Sequence, residues 1–300
     1  MSRILYYLVL IPLAHLPLRM LYVLADGLYV LIYRLLGYRT KVVRANLRTA
    51  FPQRSAAERR DIERRFYRHL MNVVVEAVRE FRMPEREFVE LVTCTNPDVL
   101  DELAKHSHAV LCAGHYGNWE VAAAALPLQT KYVMDIPYTP LSNRFMDRKI
   151  KESRGRTGMR LLPKEKTRTL TFDAPPPPAR LLTLGTDQCP GRRQRPYFLD
   201  FLGVPDTPVQ FGAEHFAKKY NLPVVYMDVA PQRRGHSEMT VHLITLHPRD
   251  TPHGWITEQH TRHLERQIAR APEYWLWTHK RWKRSRTDYP AVSASDKPMD

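Results

Sequence analysis

Five short apolar runs punctuate the middle and end of the chain: HAVLCAG at 108–114, KYVMDIPY at 131–138, ARLLTLGT at 179–186, LPVVYMDVA at 222–230 and MTVHLITL at 239–246. Each has strand length, and helix-sized segments separate most of them. This predicts an α/β domain with a mixed, mainly parallel sheet and surrounding helices. The last two runs are joined only by a short loop, Pro231 to Glu238, and are expected to pair as a hairpin. Ahead of the strands, residues 55–83 have helical periodicity, with Ile62, Phe66, Leu70, Val73, Val74 and Ala77 on one side and arginines opposite. Ser55 followed three residues later by Glu58 is a capping-box pattern, and Pro84 lies just past the far end, so one long amphipathic helix is expected.

The N-terminus is the most apolar part of the chain. Ile4 to Leu18 contains no formal charge, and a second run from Met20 to Tyr33 is interrupted only by Asp26. A fifteen-residue helix covers roughly 22 Å, less than a hydrocarbon core of roughly 30 Å, and Pro12 and Pro17 weaken the first run further. Extended to Ala25 the segment reaches spanning length, so a span and an interfacial lie both satisfy it. A cleaved signal peptide would need a small-x-small site after the first run, and none follows. A pair of buried core helices is the remaining reading.

Charge changes this picture. Lys and Arg number 46 against 31 Asp and Glu, a formal +15, which calls for a polyanionic partner or an anionic membrane. Eleven of the basic residues fall between Arg34 and Arg68, against the acids Glu58, Asp61 and Glu63. A basic segment directly after an apolar anchor is expected on the cytoplasmic side, against anionic lipid. Zinc-finger spacing, Gly-x-x-Gly clamps and RNP-like strands are missing, which argues against nucleic acid as the partner. The cysteines Cys94, Cys112 and Cys189 form no Cys-x-x-Cys and suit a reducing compartment.

The chain therefore divides into an anchoring or interfacial helical segment at 1–36, a basic amphipathic helical segment at 37–90, an α/β domain at 91–286 and a tail at 287–300. The tail is small, polar and proline-containing, and is expected to be disordered. The run Pro175 to Pro178 is expected to form a loop or short extended linker.

Candidate chemistry concentrates in AVLCAGHYGNWEVAAAA, residues 109–125. An apolar strand ends at Gly114, His115 follows on a turn, Gly117 and Asn118 suit a turn and helix cap, and Glu120 sits in the first turn of the next helix. A carboxylate on one imidazole nitrogen leaves the other free to take a hydroxyl proton, so His115 with Glu120 could form a catalytic base. The bland alternative is a satisfied loop histidine beside a carboxylate that favours a helix N-terminus. There is no His-Glu-x-x-His, and His106/His108 and His260/His263 lack companion ligands, so no metal site is expected. A phosphate-binding glycine loop and a Gly-x-Ser-x-Gly elbow are also missing.

GHYGNWE at 114–120 resembles the His-x-x-x-x-Asp/Glu motif of the lysophospholipid-acyltransferase superfamily, and specifically the lipid A late acyltransferases, the lauroyl and myristoyl transferases acting on Kdo-lipid A. Further similarities follow in the same order. SNRFMDRKIKESRGRTGM at 142–159 resembles the family's Asn-centred helix, with Asn143, Arg154 and Gly158. LTLGTDQ ends in the matching Asp187 and Gln188. FLDFLGVPDTP at 198–208 resembles its aromatic-Gly loop and PEYWLWTHKRWK at 272–283 its C-terminal motif. Leu202 stands where an aromatic is usual before Gly203, and Trp282 where a phenylalanine is common.

The resemblance implies transfer of a fatty acyl chain from an acyl carrier protein thioester, or from coenzyme A, to a hydroxyl of a membrane glycolipid of the lipid A type, without a cofactor. Another lipid acceptor, or a non-catalytic membrane-associated relative, are the competing expectations. Glu120 would orient His115 as the base, and the resemblance adds Arg154 and Asp187 to the catalytic group. Asn118, Asn143 and Gln188 would contact substrate. The implied location is the cytoplasmic side of the inner membrane, with the enzyme a monomer.

Overall fold

The computed structural model describes residues 2–167, 170, 172 and 178–290. Most of the Pro175 to Pro178 run, and positions 291–300 of the tail, lie outside the described residues. The rest of the tail, Thr287 to Pro290, is described: Tyr289 is buried and its hydroxyl donates to the Pro190 carbonyl at 3.1 Å, so the packed chain extends that far.

A seven-stranded sheet forms the centre. Its strands are β1 (Val92–Cys94), β2 (Ala109–Ala113), β3 (Val133–Tyr138), β4 (Met159–Pro163), β5 (Arg180–Gly185), β8 (Val224–Arg233) and β9 (His236–Thr245), in the spatial order β1-β9-β8-β2-β5-β3-β4. Five neighbours, from β8 to β4, are parallel, and β9, with β1 parallel to it, runs antiparallel to them. The expected hairpin is present but longer than its apolar runs, because β8 continues to Arg233 and β9 begins at His236. All five residues of β2 are buried, as a central parallel strand covered on both faces requires.

A separate antiparallel hairpin, β6 (Tyr197–Phe201) with β7 (Val204–Val209), occupies the segment read as an aromatic-Gly loop. Its two turn residues, Leu202 and Gly203, both take positive φ, 51° and 74°, which is the backbone a two-residue hairpin turn demands. Leu202 holds that left-handed conformation with its N–H donating to Glu265 Oε1 at 2.6 Å.

The long helix spans Ala56–Arg79 and begins on the expected capping box: Glu58 N–H donates to Ser55 Oγ at 3.2 Å, and Ser55 N–H to Glu58 Oε2 at 2.7 Å. Its buried face is wider than the apolar pattern suggests. Glu63 and Glu76 are buried on it while Val74 is exposed. Arg44 neutralises Glu63 from the helix Thr40–Ala50, with Nε 2.9 Å from the carboxylate.

The N-terminal segment forms two helices, Ser2–His15 and Leu18–Leu35, bent by 119°. Leu16, which precedes Pro17, is extended at ψ 142°, the conformation proline imposes on its predecessor, and the helix breaks there. Leu21, Ala25 and Tyr29, four residues apart, turn inward, and Tyr22 donates from the same helix to Glu76 at 2.7 Å. Among the described residues no single helix is long and apolar enough to cross a membrane; the bent pair meets the length and composition test only jointly.

Candidate active site

The register of the sheet sets the site. β2 and β5 are parallel neighbours, with Ala113 opposite Gly185. His115 and Asp187 each lie two residues beyond that last pair. Adjacent strands are about 4.8 Å apart, so the two residues emerge together at the carboxyl edge of the sheet, where parallel α/β folds place their ligands.

The contact is direct. His115 Nδ1 is 2.6 Å from Asp187 Oδ1, and the His115 backbone N–H donates to Asp187 Oδ2 at 3.0 Å. Trp275 Nε1–H donates to the same Oδ2 at 2.9 Å. The His115 carbonyl accepts from Leu276 N–H at 3.1 Å, and Gly117 N–H donates to Tyr274 O at 3.0 Å. The C-terminal motif thus runs beside the His115 turn as a short antiparallel bridge and clamps it. On another side of the turn the helix Trp255–Arg270 packs close: a Cβ at Gly114 would lie 2.5 Å from Leu264 Cδ1, which would have to shift.

His115 and Asp187 shift each other's titration in opposite directions. Burial disfavours the imidazolium, but the Asp187 charge and hydrogen bond outweigh it and hold the His115 pKa above the ordinary histidine value. Burial would raise the Asp187 pKa, yet His115 together with the Trp275 and backbone donors keeps it well below the carboxylate range. Asp187 accepts at Nδ1 of His115, so Nε2 carries the lone pair in the neutral imidazole. The Gln188 amide nitrogen stands 3.4 Å from Nε2, and the imidazole side chain is 26% exposed.

The expected pairing of Glu120 with His115 is corrected here. Asp187 occupies the imidazole nitrogen that Glu120 was expected to take. Glu120 instead accepts from Arg154 Nη2 and, at 3.2 Å, from Trp119 Nε1. The physical reason is topological: strand pairing delivers Asp187 to the ring, whereas Glu120, in the first turn of the helix Trp119–Ala125, meets the guanidinium arriving from the helix Arg144–Gly155. Glu120 remains close enough for its charge to help raise the His115 pKa.

The other candidates take separate places. Asn118 caps the helix, accepting from Val121 N–H at 3.1 Å, and its amide contacts the buried Glu76. Asn143 caps its own helix, accepting from Met146 N–H at 3.1 Å, and bonds Ser2; it hydrogen-bonds none of the His115 cluster. Residues that sequence reasoning did not assign to the site are Trp275, His279, whose Nε2 accepts from Cys189 N–H at 3.0 Å, and Glu80. Glu80 is buried near Glu120 and Arg154, and its carboxyl is pushed well above the usual range by burial and the Glu120 charge. For Trp275 the C-terminal motif was the available signal; Glu80 carries none beyond a carboxylate at the end of an amphipathic helix. Among the described residues, no three His, Cys, Asp or Glu side chains are grouped to hold a metal ion.

An imidazole oriented by a carboxylate at the carboxyl edge of the sheet, with a carboxylate-held arginine nearby, is an arrangement able to exchange a proton beside a fixed positive charge. The chain belongs to the bacterial lipid A biosynthesis acyltransferase family, whose model matches residues 2–284. No curated protein matches the chain.

Proposed function

We propose that the protein transfers a fatty acyl chain from an acyl carrier protein or coenzyme A thioester to a hydroxyl of a lipid A-type glycolipid precursor, with His115 as general base. The observation that carries this reading is the His115–Asp187 contact, which fixes Nδ1 and leaves Nε2 at the partly open end of the sheet. Nε2 takes the hydroxyl proton as the acceptor oxygen attacks the thioester carbonyl. The tetrahedral intermediate collapses, expelling a thiolate that takes the proton back from the imidazolium. The products are an ester and a thiol, and no acyl-enzyme is formed. Arg154, gripped by Glu120, supplies positive charge for the oxyanion, with Glu120 as its positioning residue. Gln188 lies where the acceptor hydroxyl must approach Nε2.

The bent N-terminal pair supports seating at a membrane surface. Of the seventeen large apolar side chains that stand exposed among the described residues, thirteen lie between Ile4 and Tyr38. Such a concentration marks an interaction surface, and the eleven basic residues from Arg34 to Arg68 adjoin it. Seating at the cytoplasmic face of the inner membrane would bring the carboxyl edge of the sheet to a lipid acceptor while leaving a soluble donor free to approach.

Mass spectrometry of lipids from cells with and without the gene tests the substrate. Loss of one acyl chain from lipid A without the gene is expected. Unchanged lipid A would overturn the acceptor.

A further inference from the structure

A cavity of about 690 Å³ is lined by none of His115, Asp187, Glu120 and Arg154. The helix Leu18–Leu35, the helix Ala56–Arg79, the β8–β9 turn and residues Glu273 and Tyr274 wall it. Four arginines line it, Arg65, Arg68, Arg233 and Arg234, against the acids Asp26, Glu76 and Glu273.

Pairing decides its net character. Arg234 is held by Asp26 at 2.8 Å, and Arg65 faces Glu273 at 3.5 Å. Glu76 is buried and accepts from Tyr22 and Asn118, and burial raises its carboxyl pKa toward the neutral form. Arg68 and Arg233 are left without a carboxylate partner among the described residues. Arg68 lies over the Tyr29 ring at 5.3 Å, which fixes its guanidinium against one wall.

Two guanidiniums without a carboxylate partner, both lining one concave space, suit a phosphate, which can accept hydrogen bonds from both. The position of the cavity narrows the source. One wall is the helix bearing Tyr29 and Val30, whose outer face exposes Val23, Leu24 and Leu31. A lipid with its chains against that apolar face would present its headgroup at the cavity. The inner end of the cavity touches the back of the catalytic turn: His69 Nε2 lies 3.0 Å from the Gly117 carbonyl, two residues after His115.

We propose that this cavity is a binding site for the phosphate monoester headgroup of an anionic lipid, separate from the His115 centre. Binding needs no acyl transfer, so the site stands or falls independently of the base assigned above.

Calorimetric titration of the full-length protein in neutral detergent tests it. The probes are dihexanoyl phosphatidic acid, dihexanoyl phosphatidylcholine and inorganic phosphate. Phosphatidic acid is expected to bind at least about tenfold more tightly than either alternative, and Arg68→Gln/Arg233→Gln to lose at least about tenfold in affinity, about 1.4 kcal/mol. Arg86→Gln/Arg266→Gln, which removes the same charge from exposed positions outside the cavity, is expected to bind as the wild type does. Equal loss in both double variants, or none in the first, would overturn the site. Equal affinity for inorganic phosphate and phosphatidic acid would overturn the lipid source. If the first double variant fails to fold, Arg233→Gln alone, at the exposed end of β8, must weaken binding several-fold or the proposal fails.

Discussion

The imidazole of His115 and the carboxylate of Asp187 meet at 2.6 Å although 72 residues separate them in the chain. The parallel register of β2 and β5 brings them together, each two residues past Ala113 and Gly185. The pair gives the proposed base both an orientation and a charge, and both have consequences that experiment can reach.

The first concerns pH. Asp187 raises the His115 pKa, and the base works only when deprotonated, so turnover should fall as pH drops through a midpoint above that of an ordinary histidine. Asp187→Asn removes the charge that favours the imidazolium. Its midpoint should move to lower pH while the plateau rate falls at least about tenfold. A midpoint unmoved in that variant would separate Asp187 from the base.

Glu120 and Arg154 act as one unit in this account. Arg154→Ala and Glu120→Ala should each lower kcat at least about tenfold, and the double variant should be little worse than Arg154→Ala alone. Additive losses would show that the two residues serve separate steps.

Packing behind the site is tight at Gly114. Gly114→Ala places a Cβ 2.5 Å from Leu264 Cδ1 and should destabilise the fold by about 1–3 kcal/mol, read as a fall in denaturation midpoint. In a Leu264→Ala background the same substitution should cost at least about 1 kcal/mol less. An equal cost in both backgrounds would locate the strain elsewhere.

Cys112 is fully buried, and burial pushes its thiol far above the usual range, which disfavours the thiolate that a nucleophile or an alkylation site needs. Cys112→Ala should retain transfer, and incubation with labelled thioester should trap no acyl-enzyme. A trapped adduct would contradict direct transfer.

How much of this was legible in the chain follows from locality. The five apolar runs became β2, β3, β5, β8 and β9, and the Ser55–Glu58 cap was readable because it is closed by residues three apart. β1 has only three residues, and β4 ends on Pro163 with Arg160 among its five, so neither carries an apolar pattern. The β6–β7 hairpin was hidden by Pro205 and Pro208 and by a turn whose first residue is a leucine in the left-handed region. At the site, motif order singled out His115, Glu120, Arg154 and Asp187 but not who holds whom. Glu120 was the near carboxylate in sequence; Asp187 became the near one through strand pairing that no local spacing reveals.

Membrane seating is testable on the exposed N-terminal face. Leu8→Glu/Val23→Glu places two charges where 71% and 73% of those side chains stand exposed, so the fold should survive while co-sedimentation with anionic vesicles falls several-fold. Unchanged sedimentation would move the membrane contact to another surface.

The most direct measurement is the turnover of His115→Ala in full-length protein, with an acyl carrier protein thioester and the glycolipid acceptor, alongside circular dichroism of the same sample. A loss of at least about a hundredfold in kcat with an unchanged spectrum is the expected result. Near-normal transfer by the folded variant would contradict the assignment of His115 as the base.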